Sequence, residues 1–324
     1  MTYQKNVITK IEGKRLEKWT LTNKQGVQID VLNYGATWYD WRIPFLGEKK
    51  SIIYQPQDPT NCIDDPFHIG HTIGRVAGRI PNGCFIVDNE KYQLPLNCDK
   101  HVLHSTSIKG FDNYFWDVHY QTSPNSESLI LTKMITNDGF PGVMQATIEY
   151  CLLTDGTVEI VYTGISDEKT LFDPTTHVYF NLNDNKSIED MQITINSKYH
   201  LELYDDKIPT GNFEVNTDGY LFNGQQLQQN LQQLSYQLDD AFVVTPNETN
   251  IELQQGQVQV TITGDRNAAV IFAASPQNEK EITALAVEMQ TLPCSMKYEQ
   301  FGDIYLPKNK KQTYKTIFKA CLTS

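Results

Sequence analysis

Hydrophobic positions along this chain fall in short runs rich in β-branched and aromatic residues, broken by turn residues. The run VQIDVLNYGATWYDWRI, residues 27–43, is one. CFIVDNEKYQLPL reads as a hairpin about Asp88-Asn89, and ATIEYCLLTDGTVEIVYTGI as a second about Asp155-Gly156. Further strands are predicted in DMQITINS, VQVTITG, AAVIFAAS, TALAVEMQ and TYKTIFKACL. Sustained helical periodicity is missing. The best helix candidate is the short segment Gly224–Tyr236, whose glutamines predict a solvated connector. No Gly/Ser/Pro-rich linker divides the chain and no period repeats. The pattern predicts an all-β protein, a large antiparallel β-sandwich with few short helices, in a single domain over residues 1–324.

Charge narrows the function classes. The formal net charge is -12 and no Lys/Arg-rich run occurs, which argues against nucleic acid and anionic membrane as partners. No apolar run is long enough to span a bilayer, and the first residues carry no signal-peptide pattern. The six cysteines are scattered without a C-x-x-C pair, so free thiols and a reducing, cytoplasmic location are expected.

Candidate chemistry begins with TIGRVAGRIPNG, residues 72–83. It holds two of only five arginines, Arg75 and Arg79. Spacing of four predicts both on one face of a regular element. The segment matches no phosphate-loop pattern. An isolated arginine is ordinarily surface charge or an ion pair; the sharper reading puts one guanidinium in a polar pocket, where its fork of donors holds oxygens. His68/His71 and His101/His104 repeat a three-residue spacing without a motif to complete a metal set, so no metal is expected. His177 lies between a polar turn and an aromatic run, where a structural histidine is the simpler reading. Glu288 interrupts an apolar strand. Alternation puts it with Ala284 and Ala286 on one face, as a cavity wall or as an edge-strand charge facing solvent. Asp239 and Asp240 precede a strand, where turn-initiating aspartates are common.

Taken in order, GRVAGRI (Gly74–Ile80), LH (Leu103–His104), GFDNYFW (Gly110–Trp116), HVYFNL (His177–Leu182), IPTG (Ile208–Gly211), LDDAFV (Leu238–Val243) and VEMQTLP (Val287–Pro293) resemble the aldose 1-epimerase, or galactose mutarotase, family. Each motif is weak alone; the ordered set covers most of the chain. The resemblance implies an antiparallel β-sandwich with an open sugar cleft and no metal or organic cofactor. It implies His177 as general acid, Glu288 as general base, and Arg79, His104 and Asp239 as sugar-binding groups, with Tyr179 beside His177 in the pocket. The substrate implied is a free monosaccharide such as galactose or glucose, or a disaccharide such as maltose, handled by a monomer or homodimer.

The chain departs from the family pattern at several places. Gly78 stands where asparagine is common, and Leu103-His104-Ser105-Thr106 where LHGG is usual. Val178 follows the histidine where serine is common, and Asp240 stands in place of a histidine. A pocket glutamine carried by some members finds no match. Three alternatives share these residues: a glycoside hydrolase using Glu288 and Asp239, a hexose-6-phosphate epimerase, and a non-catalytic carbohydrate-binding module.

Overall fold

A computed structural model describes residues 2–105, 108–277 and 280–323. Thr106 of the LH motif therefore lies outside the described residues. Three antiparallel sheets carry the architecture. A five-stranded meander runs in chain order from Thr2–Ile11 to Glu48–Ser51. A nine-stranded sheet is built on Ser126–Ile135, Met144–Leu153, Val158–Ser166 and the long Lys311–Leu322 strand. A six-stranded sheet orders as Tyr179–Phe180, Ala284–Gln290, Ala268–Ala274, Asp239–Val243, Tyr199–Leu203 and Pro209–Val215. No helix among the described residues is long and apolar enough to cross a membrane.

Local chemistry explains the turns. Asp88 and Asn89 both take positive φ between Cys84–Val87 and Glu90–Gln93, the two-residue turn that matches strand twist. Asp155 receives a hydrogen bond from the Thr157 N–H, and Gly156 supplies φ +89 for the second hairpin.

One core joins the sheets. Trp38 and Trp41 of the meander, Tyr150 and Phe318 of the large sheet, and Phe180, Leu285 and Val287 of the six-stranded sheet belong to one buried cluster. The Trp38 and Phe318 rings meet edge-on at 5.0 Å. All six cysteines are free thiols.

The glutamine-rich segment differs from its expectation. Asn223–Gln226 extends as a strand and only Leu227–Gln233 is helical. Leu227 and Leu231, one turn apart, are buried in the main core. The segment is a packed amphipathic turn with one wet face, because leucines at i and i+4 share a face whatever the glutamines between them do.

Candidate sugar-binding site

The six-stranded sheet has two different faces. Ala269, Ile271, Leu285, Val287 and Met289 join the main core. The alternate residues Val270, Phe272, Glu288 and Gln290, with Asp239 and Ala241, line a pocket on the other face. Register aligns them, since Asp239 pairs with Phe272, Phe272 with Ala286, and Ala286 with Tyr179. The predicted alternation around Glu288 is present. Its edge-strand reading is overturned: Ala284–Gln290 lies inside the sheet and every residue of it is buried. The strand is clamped from behind, where the Met289 carbonyl accepts from Arg266 Nη2 at 2.5 Å and from Thr175 Oγ1 at 3.0 Å.

His177 reaches the same pocket from a short connection. Its N–H donates to the His71 carbonyl and its own carbonyl accepts from the Gly70 N–H, so the backbone is held from both directions. Two residues on, Tyr179 enters the sheet and its hydroxyl donates to the Phe67 carbonyl at 3.0 Å. Nε2 of His177 lies 3.4 Å from Oε1 of Glu288, while His177 Nδ1 and Glu288 Oε2 have no hydrogen-bond partner. Burial pushes the His177 imidazole down to about 3, with His68 and His71 adding to the shift. Burial pushes the Glu288 carboxyl up to about 8; Asp239 adds to this and the Arg79 guanidinium opposes it.

Arg79 and His104 enter from a two-residue bridge. Leu103 pairs with Arg79, so His104 follows directly beside Gly78. The His104 N–H donates to the Gly78 carbonyl, and the Gly78 N–H donates to His104 Nδ1 at 3.3 Å. With Nδ1 accepting, the ring proton belongs on Nε2. Arg79 Nη2 sits 3.5 Å from Asp239 Oδ2, and Lys207 Nζ donates to the Asp239 carbonyl at 3.5 Å. Asp240 turns its carboxylate elsewhere, accepting from the Tyr220 hydroxyl and the Asp239 N–H. Of the two aspartates, Asp239 is the one paired with Arg79 in the pocket.

The two arginines do not share a face. Residues 74–78 form no regular element, and Gly78 takes φ +71, so spacing of four carries no facing relationship here. Arg75 is fully buried. Nε and Nη2 bond both oxygens of Asp138 at 2.6 and 2.9 Å; Nη1 donates to the Pro141 carbonyl and Thr170 Oγ1, and Nη2 to the Gly142 carbonyl. All five guanidinium donors are used internally. Arg79 keeps 21% of its side chain exposed, facing the cleft.

Among the lining residues without a pocket role in the sequence reading are Phe67, His68, Lys207, Phe272 and Gln290. Gln290 could have been read from VEMQ, since it lies two residues past Glu288 and on the same face. Its Oε1 has no partner. The His101/His104 pair separates in space. His104 lines the pocket, whereas His101 Nδ1 accepts from the Asn82 N–H and its Nε2 lies 3.3 Å from Asp206. Ser105, in place of the motif's glycine, is structural: its hydroxyl accepts from the Val76 N–H and donates to the Val76 carbonyl.

The sequence profile of the family described as Aldose 1-epimerase matches residues 17–319. The chain belongs to the aldose 1-epimerase family. It is thereby a carbohydrate isomerase, and two similar proteins carry names of that class. It is 32% identical to a maltose epimerase of Levilactobacillus brevis over 96% of each chain. It is 30% identical to an aldose 1-epimerase of Streptococcus thermophilus over 97% of each. Among solved structures, the galactose 1-epimerase of Lactobacillus acidophilus superposes with a TM-score of 0.89, covering 100% of this chain and 99% of the other at 24% identity. That likeness shows that the two chains share the galactose mutarotase-like fold.

Proposed function

We propose that this protein interconverts the α and β anomers of a free aldose by acid–base ring opening and closure. Glu288 takes the proton of the C1 hydroxyl. His177 delivers a proton to the ring oxygen as the bond between C1 and that oxygen breaks. The open-chain aldehyde turns about its C1–C2 bond, and the transfers run in reverse on the other face. Arg79 and His104 donate to sugar oxygens, Asp239 accepts from hydroxyls, and Tyr179 forms the wall beside His177.

The observation that carries this reading is the 3.4 Å approach of His177 Nε2 to Glu288 Oε1. The two oxygens that exchange protons hang from the same carbon, so their acid and base must be near neighbours. At 3.4 Å the two groups stand in direct reach of each other on one wall, and not on opposite sides of a sugar placed between them. Burial opposes the imidazolium–carboxylate form, yet the pair needs only one proton between its members. In the empty site that proton belongs on Glu288, pushed up to about 8, with His177 neutral, so the roles above require bound sugar to move it to His177 before the ring opens.

The rivals are less well supported. A phosphate dianion calls for a clamp of several cations, whereas the lining offers two, of which Arg79 already faces Asp239 Oδ2 at 3.5 Å and Lys207 donates to the Asp239 carbonyl. A hydrolase would ordinarily present a carboxylic acid where His177 stands. A binding module has no need of a buried carboxylate such as Glu288. For the sugar itself, Phe67, Phe272, Leu203 and Pro209 give the cleft an apolar wall. Together with the maltose epimerase relative, that wall favours a substrate whose reducing end enters the pocket while a second ring lies against the aromatics.

Polarimetry tests the reading. Freshly dissolved α-galactose, α-glucose and maltose are followed with wild type, His177→Asn and Glu288→Gln. Wild type accelerates mutarotation of at least one sugar, and each variant loses roughly 10²–10⁴-fold. Release of reducing sugar from a glycoside, or no acceleration of any free aldose, would overturn it.

A further inference from the structure

Behind the wall formed by His68, three side chains from two separate segments converge. His68 Nδ1 lies 3.1 Å from Asp112 Oδ2, and one ligand atom from each of His68, His71 and Asp112 falls within 4.8 Å of the others. His71 and Asp112 are each 2% exposed. Neither ring nitrogen of His71 makes a well-formed hydrogen bond, the Cys62 backbone giving only a weak interaction, and Asp112 Oδ1 has no partner. A neutral imidazole offers one donor and one acceptor, and buried polar groups are almost always satisfied. An interior imidazole with neither nitrogen in a well-formed hydrogen bond, beside a carboxylate with a free oxygen, therefore asks for a further partner.

The backbone around them is fixed. His71 N–H donates to the His68 carbonyl, closing a turn, and Asp65 carboxylate oxygens accept from the Phe67 and Ile69 N–H groups. Asp112 sits in the one-turn helix Phe111–Asn113, anchored by the Phe111 N–H on the Gly74 carbonyl. At Gly35, φ is +63 and a Cβ would come 2.9 Å from the Asp112 carbonyl oxygen and 3.3 Å from His71 Cδ2, so the chain closes tightly around the cluster.

We propose that His68, His71 and Asp112 form a binding site for a divalent transition-metal ion of the zinc class, set against the back of the sugar pocket. Two imidazoles and one carboxylate are a borderline donor set that suits zinc and its neighbours; magnesium and calcium prefer oxygen alone. Metal–ligand distances of about 2.0–2.2 Å in a tetrahedron place neighbouring ligand atoms roughly 3.3 Å apart. The His68–Asp112 separation already meets that spacing, and an inward tilt of the His71 ring completes three corners. The fourth corner is left to water. Access is through the pocket, because His68 lines it and is itself partly exposed. The His68 ring centroid is 5.2 Å from that of His104 and 6.2 Å from that of His177, so an ion on Nδ1 would pin a ring that faces the sugar. The sequence concealed the site because Asp112 comes from a segment remote from the His68/His71 pair. The proposal stands independently of how the sugar chemistry is read.

The test uses the full chain, stripped with a chelator and then titrated with Zn²⁺ by calorimetry and with Co²⁺ by visible absorption. One ion per chain is expected, with Co²⁺ bands of a low-coordinate nitrogen/oxygen site. His71→Ala and Asp112→Asn should each weaken Zn²⁺ binding at least tenfold. His119→Ala, in the Asp117–Thr122 strand, should bind as wild type does. A native far-UV circular dichroism spectrum and a single cooperative melt show that His71→Ala is folded. Absence of stoichiometric uptake by wild type overturns the proposal, as does undiminished binding in both site variants. Should either variant fail to fold, the wild-type Co²⁺ spectrum decides alone: no bands, no site.

Discussion

Nε2 of His177 lies 3.4 Å from Oε1 of Glu288, and both side chains are buried. Burial lowers the imidazole to about 3 and raises the carboxyl to about 8, so between those values the pair holds one proton. Acid–base anomer exchange needs that inventory. Above about pH 8 the proton is lost and no acid remains. We expect kcat/KM by polarimetry to be level from about pH 4.5 to 7 and to fall about tenfold per unit above 8. A decline centred near pH 6.5, where an ordinary imidazole titrates, would contradict the pairing.

The same burial has a stability consequence. Glu288 binds its proton more tightly folded than unfolded, so this contribution is full below the unfolded value and is lost as pH rises through about 8. Glu288→Gln keeps the shape and cannot ionise. Its melting temperature should exceed that of wild type by a margin that grows from about pH 4.5 to 8, corresponding to on the order of a few kcal/mol at most. Equal melting curves at pH 8 would show that the carboxyl is better solvated than its surroundings imply.

Arg75 and Arg79 should separate stability from turnover. Removing Arg75 strands Asp138 and two loop carbonyls in the interior, where breaking a buried pair costs about 3–5 kcal/mol. Removing Arg79 costs an exposed-side contact at 3.5 Å and little stability. Under the proposed function, Arg79→Ala should lose activity far more than Arg75→Ala at equal folded fraction, with melting close to wild type. Calorimetry beside polarimetry reads both; comparable activity losses would remove Arg79 from the sugar site.

Much of this was legible in the chain because period-two alternation is local. Ala284, Ala286 and Glu288 were placed on one face by counting, and the sheet register does the same. The Asp88-Asn89 and Asp155-Gly156 turns were equally local. What failed depended on irregular backbone or distant chain. Arg75 and Arg79 were assigned one face on a regular spacing that residues 74–78 do not have. The His68/His71 spacing completes no ligand set by itself, because Asp112 is supplied by another segment. The helix was misjudged as solvated because composition outweighed the two leucines that bury it.

Gly78 offers a test of sugar preference. It lines the pocket at φ +71, a conformation asparagine tolerates better than other non-glycine residues. A Cβ there would meet Gln290 Nε2 at 3.5 Å and Pro293 Cβ at 3.8 Å, ordinary contacts that need no rearrangement. The family resemblance includes asparagine at this position, so Gly78→Asn restores a donor and an acceptor beside Arg79 without displacing the backbone. We expect the variant to fold with stability within about 1 kcal/mol of wild type, whereas Gly78→Val, β-branched at positive φ, should lose clearly more. Because the added amide narrows the cleft next to Gln290, kcat/KM should shift toward a monosaccharide and away from maltose. An unchanged ratio of galactose to maltose turnover in a well-folded Gly78→Asn protein would mean that this corner of the pocket does not touch the sugar.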